Sequence, residues 1–192
     1  MRDRFREETA RAVLSAAEQV FAEEGFFAAS MARIAERAGV AVGTLYNHFK
    51  DREALLGALL DQRGDELLEE LDRRLALSPK APFAEQLRSF VGALFEHFEA
   101  HRALLHSTFS GEHLPCVRKT DTPRGIYARV QTLLKVGHRQ KVLRADPDHS
   151  FAVILLGTVR SNFVREKFGA PPVPAESAAE AVTDFFLRGA GR

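Results

Sequence analysis

The sequence predicts an all-helical protein in which a short unit of three helices, residues 1–50, precedes a larger helical unit, residues 51–192. Three observations carry that expectation. Apolar residues recur at three- and four-residue steps in segment after segment, each bounded by Gly, Pro or Asp. No stretch of any length alternates apolar and polar residues as a half-buried strand does, and no internal repeat is present. Between Met31 and Leu55, two short helical patterns meet across a Gly-containing turn.

Composition narrows the class further. Hydrophobic residues make up 45% of the 192 and charged residues 28%, the balance of a globular protein and not of a disordered one. A lone cysteine, Cys116, cannot form an internal disulfide, which points to a reducing cytoplasm. The opening MRDRFREE has no apolar run behind it, so no signal peptide is expected, and no stretch reaches the ~18 apolar residues of a membrane span. Net charge is +1, which argues neither for nor against nucleic acid. Its distribution says more: Arg2, Arg4 and Arg6 form a basic arm, and Lys50 and Arg52 place positive charge beside the paired short helices, where a phosphate backbone would lie.

The first helix is expected from about Glu7 to Glu24, with Ala10, Val13, Leu14, Ala17, Val20 and Phe21 as its apolar stripe and Gly25 as its stop. Phe26, Phe27, Ile34, Leu45 and Phe49 are the expected partner face. Ser30 caps a second helix carrying Met31, Ile34, Ala35 and Ala38, and Gly39 supplies the backbone freedom to leave it. A third helix carries Val42, Leu45, Tyr46 and Phe49. Two helices joined so tightly cross steeply and present the second outward, the helix-turn-helix geometry that enters a DNA major groove.

The ordered run Ile34, Ala35, Ala38, Gly39, Val40, Gly43, Thr44, Leu45, Tyr46, His48, Phe49 and Leu55 resembles the signature of the tetracycline repressor (TetR) family of bacterial transcription regulators. It covers roughly the first quarter of the chain; beyond it the resemblance is one of length and helical layout. The resemblance implies that Ser30 donates to a phosphate, that Gly43 lets the backbone come close, and that Thr44, Tyr46, Asn47 and His48 face DNA. Tyr46 and His48 suit phosphate or sugar, where half or more of such hydrogen bonds go, and Asn47 suits an adenine edge. Ala41 stands where the family usually has a hydroxyl residue, and Val42 where it often has a polar or basic one, which removes a helix cap and a possible contact.

Asp51 caps a fourth helix running through Leu55, Leu56, Leu59, Leu60, Leu67, Leu71 and Leu75 to Leu77, about 40 Å at 1.5 Å per residue. An element of that length can couple two domains mechanically. The fifth, Phe83 to Ala100, puts Leu87, Phe90, Leu94, Phe98 and Leu105 on one stripe, with His97 and His101 on the same side. Imidazoles four residues apart can chelate a metal, line a pocket or sit satisfied in a core; no third ligand at metal spacing is evident, so no metal or cofactor is assigned. Ser107 to Pro123 reads as irregular, with Phe109 among its apolar contributions. Arg124 to Lys141 is helical, Asp146 and Pro147 open a helix that is apolar nearly all round from Phe151 to Val159, and Ala175 to Arg188 closes the chain with Ala178, Val182, Phe185 and Phe186 inward.

The expected function is that of a cytoplasmic, homodimeric, ligand-responsive regulator, a repressor that leaves a pseudo-palindromic DNA operator when a small apolar or aromatic effector binds. The effector would meet Phe90, Leu94, His97, His101, Phe109 and Asn162, and the helices near 146–168 and 175–188 would meet the second subunit. Two other classes stay open from the residues alone. One is a metal-dependent enzyme on a helical bundle using His97 and His101; the other is an interaction module binding a protein through the apolar helix around Leu155.

Overall fold

The computed structural model describes the backbone of residues 2–109, 120–165 and 169–191, and the side chains in those ranges other than 2–4 and 106–109. Within them the chain forms α1 (Arg2–Glu24), α2 (Met31–Ala38), α3 (Val42–His48), α4 (Arg52–Leu77), α5 (Phe83–Ala100), α6 (Arg102–Phe109), α7 (Thr122–Arg139), α8 (Ser150–Phe163) and α9 (Ala175–Ala190). The sole pairing of extended backbone among the described residues is an isolated bridge between Leu143 and Gly191. The fold is all-α, as the periodicity predicts. It forms two compact units: the described residues 2–64, 103–109 and 120 form one, and 65–102 with the rest form the other. The chain passes between them inside α4, after Arg102 at the start of α6, and once more between Thr120 and Asp121, just before α7.

In the first unit α2 has eight residues and α3 seven, too short to persist alone. Burial holds them. Val13, Ala17 and Val20 of α1, Ile34 and Ala35 of α2, Leu45 of α3 and Leu55 and Leu59 of α4 are fully enclosed in one core. Each larger side chain among them contributes about 1.5–3 kcal/mol by leaving water. Phe26 joins this core, whereas Phe27 does not and is 62% exposed, because the turn after Gly25 sends the two neighbouring rings in different directions. Only Leu45 of the expected α3 stripe is buried; Val42 and Tyr46 point to solvent and Phe49 is half-buried. α1 also begins earlier than its apolar pattern, at Arg2, so the backbone of the basic arm is helical.

The second unit is built on Leu71 of α4, Phe83, Leu87, Phe90 and Val91 of α5, Val130 and Leu133 of α7, Leu155 of α8 and Val182 and Phe186 of α9. Ion pairs sit over this core. Arg74 bonds Glu70 one turn back on α4 at 2.6 Å, and it pairs with Glu96 of α5; Arg129 of α7 pairs with Asp72 of α4. Pro123 lies in the first turn of α7, where its missing N–H is no loss, and does not act as a breaker. Asp146 does cap α8, from farther off than expected: with His149 in the left-handed region (φ 52°), the helix starts at Ser150 and the carboxylate accepts from Ser150 N at 2.9 Å and Phe151 N at 3.0 Å.

Three further expectations change. The backbone from Ser107 to Phe109 is helical, the end of α6, while the remainder of the segment read as irregular falls largely on 110–119, outside the described residues. Leu105 does not continue the α5 stripe, because α5 ends at His101; it packs on α6 against the core of the first unit. Phe185 of α9 faces solvent, while Thr183 takes a buried place beside Val182.

Candidate nucleic-acid interface

The turn between α2 and α3 positions the outward helix. Gly39 adopts φ 69°, ψ 29°, and its N–H donates to Glu36 O at 3.1 Å while Val40 N donates to Ala35 O at 3.0 Å. Those two bonds close the end of α2 in a Schellman arrangement that an L side chain at 39 would strain. At the other end, Ser30 Oγ accepts from Arg33 N at 3.1 Å, which leaves its hydroxyl proton free to donate outward. Ala41 gives α3 no side-chain cap; the N–H groups of Thr44 and Leu45 both turn to the Ala41 carbonyl instead.

Leu45 anchors α3 and the rest of the helix faces out. Gly43, Tyr46 and Asn47 are exposed, Tyr46 at 51%, while Thr44 and His48 are half-buried. A Cβ at Gly43 would meet nothing within 4 Å, so the open surface there is backbone that another molecule can approach. His48 stands beside Phe49, ring centroids 6.2 Å apart, and shares a surface hollow with Arg6, Glu7 and Ala10 of α1. That places Arg6 next to the expected contact surface; the side chains of Arg2 and Arg4 lie outside the described residues.

Lys50 and Arg52 have different surroundings. Lys50 is exposed, and its ammonium lies 3.5 Å from Asp51 Oδ2. Asp51 Oδ1 accepts from Ala54 N at 2.7 Å, a bond that holds this carboxyl below its ordinary pKa. Arg52 turns inward along the unit: Nη1 donates to Phe27 O at 2.7 Å and Ala29 O at 2.9 Å, and the guanidinium lies 4.6 Å from the centroid of the Phe26 ring. No side-chain pattern marks this placement, since its acceptors are main-chain carbonyls.

The expected effector residues lie in different surroundings. Phe90 and Leu94 are buried in the core of the second unit, and His97 and His101 are half-buried with their rings 4.6 Å apart. Phe109 ends α6, and its side chain lies outside the described residues. Asn162 lines a pocket together with Phe95, Phe98, Arg102, Phe163 and Arg165. Among the described residues no three His, Cys, Asp or Glu side chains gather where they could hold a metal ion.

Residues 13–59, which span α1 to the start of α4 and contain the whole outward-facing turn, match the family of bacterial regulatory proteins designated tetR. Residues 13–59 are a TetR-family DNA-binding domain. Over 94 residues, 49% of this chain, it is 37% identical to the HTH-type transcriptional activator FasR of Mycolicibacterium smegmatis, and the match spans only 42% of that protein. Across 97% of the chain it shares its fold with a protein of Mesorhizobium loti described as a TetR-family transcriptional regulator, at a TM-score of 0.79, 19% identity and 98% coverage of that structure. A TM-score of 0.79 is also found with the transcriptional regulator FadR of Bacillus subtilis in complex with stearoyl-CoA, at 20% identity, over 93% of this chain and 98% of that one. At such identities the likeness to both structures is one of fold.

Proposed function

We propose that this chain is a cytoplasmic, ligand-responsive regulator of transcription that holds a pseudo-palindromic operator as a homodimer and acts as a repressor. The observation that carries the DNA reading is the surface of α3, anchored from behind by Leu45 while Gly43, Tyr46 and Asn47 face solvent. In a dimer two such helices occupy successive major grooves, about 34–36 Å apart. Val153 and Ile154 on α8 and Phe185 on α9 are exposed apolar residues on the two helices assigned to the second subunit, which supports that part of the reading. Ser30, Thr44, Tyr46, His48 and Lys50 hold phosphate or sugar and Asn47 reads a base, with Gly43 at the point of closest backbone approach.

The effector belongs to the second unit. FadR, whose fold this chain shares, is described in complex with stearoyl-CoA, a molecule with a long apolar tail, and the aromatic lining around Asn162 supports an apolar or aromatic component here. Binding there acts on DNA affinity through α4, whose residues the two units share; a coupling of about 1–3 kcal/mol suffices. Footprinting on the promoter of the chain's own gene is the test: two protected half-sites one helical turn apart are expected, with reporter expression rising when the gene is deleted. Protection independent of sequence, or none, removes the reading.

A further inference from the structure

We propose that copies of this chain join head to tail through two charged surfaces of the second unit: a basic tip at the end of α7 on one copy and an acidic groove between α5 and α9 on the next. The inference concerns assembly and does not depend on the DNA reading above.

The tip begins as a sequence bias. From Thr122 to Ala145 the chain has six Lys or Arg residues and no Asp or Glu. Arg124 and Arg129 are paired with Asp121 and Asp72, whereas Lys135, Arg139, Lys141 and Arg144 are exposed and have no ion pair among the described residues. Lys80 joins them. Gln140 Oε1 accepts from Phe83 N at 2.8 Å and Gln140 Nε2 donates to Ala81 O at 3.0 Å, which staples the turn after α4 against the end of α7. The next carboxylate, Asp146, is committed to the N–H groups of Ser150 and Phe151, which leaves Asp148 against these cations. Val142 lies among them, 42% exposed.

Lys141 closes α7 in the left-handed region, at φ 59°, with its own N–H donated to His138 O at 3.0 Å and Val142 N to Gly137 O at 3.1 Å. Glycine takes such a position without strain, and the same pair of bonds after α2 is built on Gly39. The helix dipole favours cations at this end, and His138 and Arg139 already supply them inside the last turn. The cation held at 141 against backbone strain is therefore one that the surface uses and α7 does not need.

The groove has the opposite sign. It lies along α5 and the start of α9, with a volume of about 650 Å³ and an open mouth. Arg74 on its wall is occupied by Glu70 and Glu96, and Glu99 accepts from Ala175 N at 3.3 Å. Glu85, Glu176 and Glu180 remain, exposed and without an ion pair among the described residues, against Arg88. Three uncommitted carboxylates in an open groove match a tip of long Lys and Arg side chains, whose apolar stems can follow the groove wall. Because tip and groove are different surfaces, the contact is heterologous and can repeat from copy to copy.

The test is sedimentation velocity of the intact protein over a range of concentrations. In about 0.1 M salt, species larger than any seen in about 1 M salt are expected to accumulate with concentration, since the screening length falls from about 10 to 3 Å between the two. Arg139→Glu with Lys141→Glu, or Glu176→Lys with Glu180→Lys, should each weaken that association by about ten-fold or more, as like charges then face each other. The protein carrying all four changes keeps the parent's net charge of +1 with the two surfaces exchanged, and should associate as the parent does. Lys141→Gly should raise the urea midpoint and weaken association together, which keeps the test decisive if the charge reversals unfold. Association that is absent or independent of salt overturns the inference, as does a four-change protein that fails to associate or a Lys141→Gly protein that associates undiminished. Should the parent stay at one mass while vesicles of phosphatidylglycerol retain it through Lys141, the tip faces an anionic surface and the inference falls as well.

Discussion

Arg52 donates through Nη1 to the carbonyl oxygen of Phe27 at 2.7 Å, a bond that ties the start of α4 to the turn between α1 and α2, 25 residues earlier in the chain. A second bond from the same nitrogen to Ala29 O, at 2.9 Å, fixes the chain one residue before the Ser30 cap. Arg52 is therefore a positioning residue for α2.

Its replacement and that of Lys50 should separate on one measurement. Arg52→Gln leaves the Phe27 and Ala29 carbonyls without their charged donor and should destabilise the protein by about 1–3 kcal/mol. Operator affinity should fall with it, while the slope of log K against log salt stays as in the parent. Lys50→Gln should leave urea unfolding unchanged and make that slope shallower by about 0.9, the loss of one neutralised phosphate. A salt slope altered by Arg52→Gln and not by Lys50→Gln would reverse the two assignments.

Asn47 and Tyr46 should also part company. Asn47→Ala should reduce discrimination at one base pair by about 1–3 kcal/mol, seen when single-substituted operators are ranked by gel shift. Tyr46→Ala should weaken all operator variants alike and preserve their order. Because both side chains are exposed, neither change should shift the thermal midpoint appreciably.

Gly39→Ala tests the turn. Nothing lies within 4 Å of the Cβ it would add, so the whole penalty comes from the left-handed backbone at φ 69°. About 1–2 kcal/mol of stability should be lost, measured as a lower urea midpoint at unchanged m-value. Gly39→Asn should lose less, since asparagine tolerates that region. Equal losses for the two would show that something other than backbone strain decides.

Acid should act on the second unit through Glu70. Bonds from Arg73 and then Arg74 hold its carboxyl at about 2, down from an ordinary 4.5. Since the folded value lies below the unfolded one, the ionised form stabilises the fold above about pH 4.5, and that stability drains away as pH falls toward about 2. Glu70→Gln should thus lower stability at pH 7 and flatten its decline between those two values. Parallel pH profiles for parent and variant would assign the acid response elsewhere.

The helix-turn-helix was legible because its determinants are local. Ser30 and Gly39 each act within a few residues of themselves, and the structure places both as their spacing predicts. What escaped is what tertiary context decides. Phe26 and Phe27 are chemically identical neighbours, and only the turn after Gly25 determines which is covered. The end of α5 carries no Gly or Pro to announce it, so a stripe reading ran on to Leu105 across a break at His101. The expected effector residues separate for a related reason. Phe90 and Leu94 are the most regular apolar positions on α5 and for that reason fill the core, while Phe98, Asn162 and Arg165 sit at helix ends, where periodicity fades.

A seven-residue helix held by the single anchor Leu45 divides its positions cleanly. Residues 42, 43, 46 and 47 support nothing beneath them, so their identities can be exchanged with little effect on folding. Recognition in this scaffold is thereby separable from stability, and a new target sequence could be installed on α3 by rewriting a handful of letters while leaving the rest of the molecule untouched.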